Sequence, residues 1–191
     1  MVREIRYPLK QRDVEGLKVG DVIRFTGTLV TARDKAHQRL IELYKKGEKP
    51  PVDLRDGAII HCGPIARREK DTWKIISAGP TTSYRMEEYT FDLIRQSGLR
   101  LIIGKGGMGE KTAEACKKYK VIYCAFTGGA SVVAAEAIEK VENVFWLQEL
   151  GMPEALWVFK VKDFGPLVVT IDAEGNNLTE EVIEKAKESF D

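Results

Sequence analysis

The sequence Gly79-Pro80-Thr81-Thr82-Ser83-Tyr84-Arg85-Met86 lies between a strand-like segment and a helix-like segment. Residues 73–78 have a β-branched centre, which favours a strand, and the apolar residues between 86 and 97 recur at helical spacing. Pro80 has no N–H to donate to a sheet, so the strand must end there. Two threonines, a serine and Arg85 therefore surround the start of a helix, where free N–H groups favour an anion. Hydroxyls at such a position also serve as plain helix caps.

The composition sets the class of protein. The chain has 191 residues, of which 43% are hydrophobic, so we expect a single domain over residues 1–191. A net charge of +1 does not suggest nucleic acid as a partner. The apolar runs are far shorter than a membrane span, and the N-terminus starts directly in charged sequence. Because the three cysteines have no paired spacing, we expect a soluble protein of the reducing cytoplasm, with no membrane partner.

The first part of the chain is predicted to be rich in β-structure. A strand at 21–30 leads into a helix that ends at Gly47. A buried strand at 57–64 ends in a Gly-Pro turn, as does the strand at 73–78. We expect these two strands to pair through the polar connection between them.

The second part alternates strands and helices, which favours a parallel sheet with right-handed crossovers. The predicted strands are 99–103, 121–126, 144–147, 156–161 and 167–171, and the predicted helices are 110–118, 130–140 and 179–189, the last capped by Thr179. The predicted fold class is therefore α/β, with a β-rich N-terminal part followed by alternating strands and helices.

Cationic side chains recur at the strand-to-helix junctions. Arg33 follows the strand at 21–30, as Arg85 follows the strand at 73–78, and Lys105 lies in a third junction. With Thr81 and Thr82 they predict a cationic, hydroxyl-lined site that contains no acid, base or metal ligand. Such a site is suited to a small dianion, but it shows no means of doing chemistry alone.

The third junction, residues 104–109, matches G-x-G-x-x-G, which is typical of dinucleotide binding. That function needs an acidic residue at the end of the next strand, and residues 126–129 contain none. A phosphate-binding loop fails as well, because Glu110 separates Gly109 from the lysine that follows. What remains is a turn that lets backbone N–H groups and Lys105 approach an anion. A similar turn at 128–129 either binds a carboxylate or lets helix and strand pack, and we favour packing.

The cysteines and histidines do not predict a metal site in this chain. Cys62, Cys116 and Cys124 fall at a strand end, in an amphipathic helix and within a strand, so core packing is favoured over an iron–sulfur site. His37 and His61, the only histidines, have no ligand-like partners nearby in sequence.

Several ordered motifs together resemble one family, the β subunit or C-terminal domain of the class I iron–sulfur hydro-lyases, fumarase and L-tartrate dehydratase. The resemblance covers nearly the whole chain and rests on residues 17–21, 31–37, 61–64, 79–86, 104–108 and 163–166.

The resemblance implies a swivelling β/β/α domain that closes over a [4Fe–4S] cluster held by three cysteines of a separate α subunit, in a hetero-oligomer such as α2β2. The open iron would act as a Lewis acid on the substrate. The family's substrate-binding pattern falls on Arg33, Thr82, Arg85 and Lys105, and Thr81 corresponds to its proposed base. A hydroxyl is a poor base unless its alkoxide is stabilised, here by nearby cations and a helix N-terminus.

The expected activity is the reversible hydration of fumarate to L-malate by a lyase that needs its α subunit. L-Tartrate dehydratase is the alternative within the family. An anion-binding or nucleotide-binding module without a reaction is the alternative from another class, and a purely structural subunit is a third.

Overall fold

The computed structural model describes residues 2–189. Within them lie nine strands, seven helices and one short 3-10 turn at Ser83–Met86. The strands are Val2–Arg6 (β1), Val22–Thr31 (β2), Ala58–Ile60 (β3), Ile65–Glu69 (β4), Thr72–Ser77 (β5), Leu101–Gly104 (β6), Ile122–Ala125 (β7), Ile138–Phe145 (β8) and Leu156–Ile171 (β9). The helices are Gln11–Glu15 (α1), Asp34–Lys45 (α2), Glu87–Ser97 (α3), Glu110–Tyr119 (α4), Ser131–Glu136 (α5), Leu147–Leu150 (α6) and Leu178–Glu188 (α7).

Seven strands form one sheet in the order β1-β2-β3-β6-β7-β9-β8. The pairs from β1 to β7 are parallel, whereas β9 runs antiparallel to both β7 and β8. Strand β9 also pairs antiparallel with β2. The pairings of β2, β3, β6, β7 and β9 therefore form a closed ring, in which each of these five strands is paired on both sides. The predicted mixed α/β class is confirmed.

Two apolar clusters lie on the two faces of these strands. In β3, Ala58 and Ile60 belong to one cluster and Ile59 belongs to the other, as the period of two in a strand requires. The second cluster also contains the apolar faces of α2, α3 and α4, which cover that side of the sheet. Every residue of β3 and β6 is buried, which explains their continuous apolar sequences.

The predicted pairing between the strands at 57–64 and 73–78 is wrong. Strand β3 pairs with β2 and β6 in the middle of the main sheet. Residues 73–78 belong to β5, which forms a separate hairpin with β4. A fully apolar strand such as β3 is stabilised by a neighbouring strand on each side, which β2 and β6 provide. Strand β5 instead pairs with β4, because the short turn at Lys70 and Asp71 brings these two strands together.

The C-terminal predictions need three corrections. The helix predicted at 130–140 ends at Glu136, and β8 begins at Ile138, well before the strand predicted at 144–147. The strands predicted at 156–161 and 167–171 are one long strand, β9. The last helix is capped by the side chain of Asn177, which accepts a hydrogen bond from the N–H of Thr179. The parallel alternation thus ends at β7, because β8 is held by antiparallel pairing with β9.

None of the helices between residues 2 and 189 has the length and apolar character needed to cross a membrane.

Candidate functional site

The candidate site lies where the parallel strands end. Arg33 follows β2, His61 follows β3 and Lys105 follows β6, so all three lie at the carboxyl edge of the sheet, where α/β proteins bind ligands. The segment at 79–82 crosses this edge, since the N–H of Thr81 donates to the carbonyl of His61 at 2.7 Å. The fold therefore places turns that are distant in sequence side by side.

Arg85 connects two of these turns. Its Nη2 donates to Thr81 Oγ1 at 3.1 Å and to Asp34 Oδ2 at 3.0 Å, and its Nε donates to Asp34 Oδ1 at 3.0 Å. The hydrogen bond from Arg85 lowers the pKa of Asp34, and the same contact raises the pKa of Arg85. Three of the five guanidinium donors are thereby used, and Nη1 has no hydrogen bond to residues 2–189.

Arg33 is held by a second carboxylate. Its Nε lies 3.3 Å from Glu154 Oε1, and Glu154 Oε2 accepts from the N–H of Lys35 at 2.9 Å. Glu154 therefore satisfies a free donor in the first turn of α2 and fixes Arg33 at the same time. The arginine stem passes close to Gly63, where an added Cβ would lie 2.8 Å from Arg33 Cδ. Glycine at 63 leaves the space that this side chain occupies.

Lys105 is fixed through its backbone, while its side chain is exposed. Residues Thr82 and Lys105 form a parallel β-bridge. The N–H of Lys105 donates to Ser83 Oγ at 2.9 Å, and the N–H of Ser83 donates to the Lys105 carbonyl at 3.1 Å. The lysine stem passes Gly128, where an added Cβ would lie 2.7 Å from Lys105 Cδ. The ammonium group has no ion pair within residues 2–189.

The N-terminus of α4 is already occupied by a carboxylate of the chain. Glu87 accepts hydrogen bonds from the N–H of Gly109 at 2.9 Å, from the N–H of Thr112 at 3.1 Å and from Thr112 Oγ1 at 2.6 Å. This carboxylate takes the position that a dinucleotide phosphate would need. Lys105 and Gly106, which are both exposed, are the part of the glycine-rich turn that remains open to a ligand.

The structure thus brings the five predicted site residues to one face. Thr81 and Arg85 are hydrogen-bonded, Thr82 and Lys105 are paired through the backbone, and Arg33 is next to the Asp34 that binds Arg85. The prediction that this site contains no acid is wrong, because Asp34 and Glu154 both lie at it. The signal for Asp34 was its position directly after Arg33, whereas nothing local indicates Glu154.

The cluster is an open face rather than a closed pocket. Thr82, Arg85 and Lys105 are exposed. A hollow of about 470 Å³ beside Arg85 is lined by Tyr84, Glu87, Glu88 and residues 109–111, and it does not contain Thr81 or Lys105. A small dianion bound at this face would remain in contact with water unless a second surface covered it.

The three cysteines do not fit an iron–sulfur cluster. All three are free and buried, and burial raises the pKa of each thiol, to about 12 for Cys62. Cluster ligands are thiolates, which these thiols do not readily become. The part of the chain that the structure describes also has no group of three His, Cys, Asp or Glu side chains that could hold a metal ion.

Comparison with known proteins identifies relatives over most of the chain. The fumarase C-terminus family profile matches residues 3–182. The "L(+)-tartrate dehydratase subunit beta" of Escherichia coli (strain K12) is 50% identical over 182 residues, which are 95% of this chain and 88% of that protein. The "Putative L(+)-tartrate dehydratase subunit beta" of Methanocaldococcus jannaschii is 43% identical over 95% of this chain and 93% of its own length. The "Putative fumarate hydratase class I" of Geobacillus stearothermophilus is 41% identical over 97% of this chain, which spans 35% of that protein.

The fold, the cluster of site residues in the turns and the relatives together identify the chain as a β subunit of the class I fumarase type. Such a subunit is a component of a hydro-lyase. The chain belongs to the fumarase C-terminus family. The resemblance noted from the motifs is confirmed.

Proposed function

We propose that this chain binds the carboxylates of a small dicarboxylate and transfers a proton in a class I hydro-lyase, with L-tartrate as its substrate. The observation that supports this most directly is the contact between Arg85 and Thr81 in the middle of the cationic face. That contact places a hydroxyl beside a guanidinium, which a simple anion-binding module does not require.

Arg33, Arg85 and Lys105 bind the two carboxylates of the substrate in this proposal. Asp34 and Glu154 offset two of the three positive charges, and the ammonium group of Lys105 is left unpaired by the described residues. The carboxylates of Asp34 and Glu154 orient the two arginines. The free Nη1 of Arg85 and the ammonium group of Lys105 remain as donors to the substrate. Thr82 borders the same face through its bridge with Lys105.

The base in this proposal is the alkoxide of Thr81, formed when its hydroxyl proton is lost to solvent at the open face. Its Oγ1 then takes the proton from the carbon next to a substrate carboxylate, and the electron pair of that C–H bond passes into the carboxylate. A threonine hydroxyl is too weakly acidic to act as a base unaided. The hydrogen bond from Arg85 Nη2 stabilises negative charge on Oγ1, and the neighbouring cations stabilise the charge that builds on the carboxylate as the proton leaves. In this proposal Arg85 thus donates to a substrate carboxylate through Nη1 and stabilises the charge on Thr81 Oγ1 through Nη2.

A partner α subunit holds the [4Fe–4S] cluster in this proposal. The thiols of this chain do not suit the cluster, and the open face leaves a substrate exposed on one side. The printed name "subunit beta" of the relatives agrees with a hetero-oligomer. The α subunit would cover the cationic face and exclude water from it.

L-Tartrate is preferred over fumarate as the substrate because the names of the relatives favour it. The two relatives named for tartrate dehydratase are 50% and 43% identical, and each is matched over most of its length. The relative named for fumarate hydratase is 41% identical and keeps fumarate as the second candidate. The sequence expectation of fumarate is therefore replaced by its alternative.

The test is to assemble the chain with its α subunit without oxygen and to measure kcat/KM for L-tartrate dehydration and for fumarate hydration. We expect L-tartrate to be preferred by at least about tenfold, the lower end of what contacts in a substrate pocket supply, because the relatives named for tartrate dehydratase are the more similar to this chain. A preference for fumarate would reverse the assignment. Turnover by this chain alone would contradict the division of labour between the subunits.

A further inference from the structure

A buried tyrosine lies beneath the glycine-rich turn that carries Lys105. Tyr123 belongs to β7, which pairs with β6 in the sheet, and its side chain is fully buried. Its hydroxyl donates a hydrogen bond to the carbonyl oxygen of Gly106 at 2.8 Å. Gly106 is exposed and has a φ of +76°, which is the left-handed region that favours glycine. A buried side chain of one strand thus holds the backbone of a turn that follows the neighbouring strand.

The hydroxyl is the part of Tyr123 that packing does not require. The ring belongs to the apolar cluster that contains the buried faces of α2, α3 and α4, and phenylalanine would fill the same space. Burial raises the pKa of Tyr123 well above its ordinary value, so the hydroxyl keeps its proton and acts as a donor. The Gly106 carbonyl accepts from no other group within residues 2–189, so Tyr123 is its partner.

Ser83 holds the same turn through the preceding residue. The Ser83 hydroxyl, which is also buried, accepts the N–H of Lys105 at 2.9 Å. The Ser83 N–H donates to the Lys105 carbonyl at 3.1 Å. The N–H and the carbonyl of Lys105 and the carbonyl of Gly106 are therefore all bonded to two buried residues from different parts of the chain.

Gly104 leaves the space in which the two hydroxyls lie. A Cβ added at Gly104 would be 2.7 Å from the hydroxyl oxygen of Tyr123 and closer still to Ser83 Oγ. Any other residue at this position would displace at least one of the two groups. The carbonyl of Gly104 accepts the N–H of Phe126 at 2.8 Å, so the backbone is fixed up to the residue before Lys105.

The turn depends on such contacts because its own sequence does little to restrict it. Glycines stand at positions 104, 106, 107 and 109, and glycine has the greatest backbone freedom of all residues. The lysine side chain adds many rotamers of its own. Holding Lys105 at a substrate carboxylate therefore costs conformational entropy, and a backbone that is already fixed reduces this cost.

We propose that Tyr123 is a positioning residue for Lys105. Its hydroxyl holds the Gly106 carbonyl and thereby fixes the direction in which the Lys105 side chain leaves the turn. Tyr123 acts only through the backbone of residues 105 and 106, and it places no charge beneath the cationic face. This inference rests on the proposed role of Lys105 as a donor to a substrate carboxylate.

Amide hydrogen exchange and nitrogen-15 relaxation of the full chain test the contact itself. In Tyr123→Phe, the Lys105 N–H should exchange at least about tenfold faster than in the wild type, and residues 105–107 should become more mobile. The N–H of Phe126 should keep its protection, because its bond to Gly104 is unchanged. Equal exchange of the Lys105 N–H in both proteins overturns the proposal. So does a Tyr123 hydroxyl proton that exchanges rapidly with water in the wild type, a measurement that needs no variant.

Kinetics of the assembled enzyme test the positioning role. Tyr123→Phe should raise KM for L-tartrate by about threefold to tenfold and change kcat by less than about twofold, because the ammonium group is kept but is less well placed. In a Lys105→Met background the same change should leave KM where Lys105→Met alone puts it, since no ammonium group remains to be positioned. An equal rise of KM in both backgrounds indicates a structural effect and overturns the proposal.

Thr170→Val is the matched control. Thr170 is buried, and its hydroxyl donates to the backbone carbonyl of Tyr123 at 3.4 Å, so this variant removes a buried hydroxyl beside the same residue but away from the turn. We expect a lower melting temperature and an unchanged KM. An unchanged KM in Tyr123→Phe beside a raised KM in Lys105→Met overturns this inference alone. An unchanged KM in Lys105→Met instead removes the proposed role of Lys105 and, with it, the positioning role, while the exchange measurement still decides the contact.

Discussion

Asp34 and Arg85, 51 positions apart in the chain, meet through two parallel hydrogen bonds of 3.0 Å. Such a bidentate pair fixes the plane of the guanidinium. Because the same guanidinium donates to Thr81 Oγ1, the orientation of the proposed proton acceptor depends on an acid at the start of another helix.

Asp34→Ala should therefore lower kcat by about tenfold or more, because Arg85 is no longer held against Thr81. Stability should change by less than about 1 kcal/mol, since both side chains are partly exposed. Asp92→Ala is the matched control, as it removes the Arg95–Asp92 pair on α3 away from the cluster. Equal kcat in both variants, measured in the assembled enzyme, would show that Asp34 does not orient Arg85 for the reaction.

Thr81→Ala should lower kcat by roughly a hundredfold or more, the usual size of a lost acid–base group. Its stability should be nearly unchanged, because the Thr81 N–H bond to His61 is a backbone contact and the Thr81 hydroxyl contacts only Arg85 among the hydrogen bonds described. Thr82→Ala tests whether any hydroxyl at this turn matters, and we expect a much smaller loss. Thermal melts and steady-state kinetics of both variants decide, and wild-type kcat in Thr81→Ala would make Thr81 a structural residue.

Lys105→Met should raise KM by roughly tenfold to a hundredfold, the value of a lost hydrogen bond to a charged group. The fold should persist, because Lys105 is anchored by its backbone N–H and carbonyl. Lys111→Met removes an exposed lysine on α4 and provides the control for net charge. If both variants raise KM alike, the effect comes from the overall field and not from a contact.

Arg85→Lys should lower both kcat and substrate affinity although the net charge is kept. One ammonium cannot reproduce a bidentate bond to Asp34, a bond to Thr81 Oγ1 and a donor toward the substrate at once. Addition of free guanidinium to an Arg85→Ala variant should restore part of the activity. If Arg85→Lys kept the wild-type kcat/KM, the planar guanidinium of Arg85 would not be required for the reaction.

The free energy of unfolding should fall by about 3 kcal/mol as the pH is lowered from 6.5 to 4, owing to His37. Its pKa of about 4 in the folded chain lies below the ordinary 6.5, so the unfolded chain takes up the proton first and stability is lost over this range. Burial is the main cause, and it outweighs the carbonyl of Arg33 and the charge of Asp34, which oppose the shift. Urea unfolding across this range measures the slope, and His37→Asn should reduce it without abolishing it, because burial also lowers the pKa of His61, which adds to the same loss. An equal slope in that variant would assign the effect elsewhere.

The sequence was sufficient for the parts of the site that depend on local spacing. Thr81 and Arg85 are four residues apart at the start of a helix, which is the spacing that lets two side chains meet. Arg33 and Lys105 were found because each lies in the turn between a strand and the following helix. Glu154 could not be found in this way, since it reaches the N–H of Lys35 across 119 positions and its local sequence is an ordinary turn.

The same difference between local spacing and contacts of distant residues explains the errors in the predicted fold. The parallel strands and their helices were predicted because each has its own apolar period. The pairing of β3 was missed because three buried residues do not indicate which neighbours cover them. The start of β8 at Ile138 was missed because the residues there suit a helix or a strand equally well. The antiparallel pairing with β9 makes them a strand.

Strand β9 comes from residues 156–171, close to the end of the chain, yet it pairs with β2 near the beginning. A chain still emerging from the ribosome can form β2, β3, β6 and β7, but the edges of β2 and β7 stay unpaired until β9 has been made. Glu154 lies two residues before the start of that strand, so Arg33 gains its carboxylate at about the same step. The cationic face is therefore complete only after residues 154–171 have been made, although Thr81, Arg85 and Lys105 come much earlier in the chain.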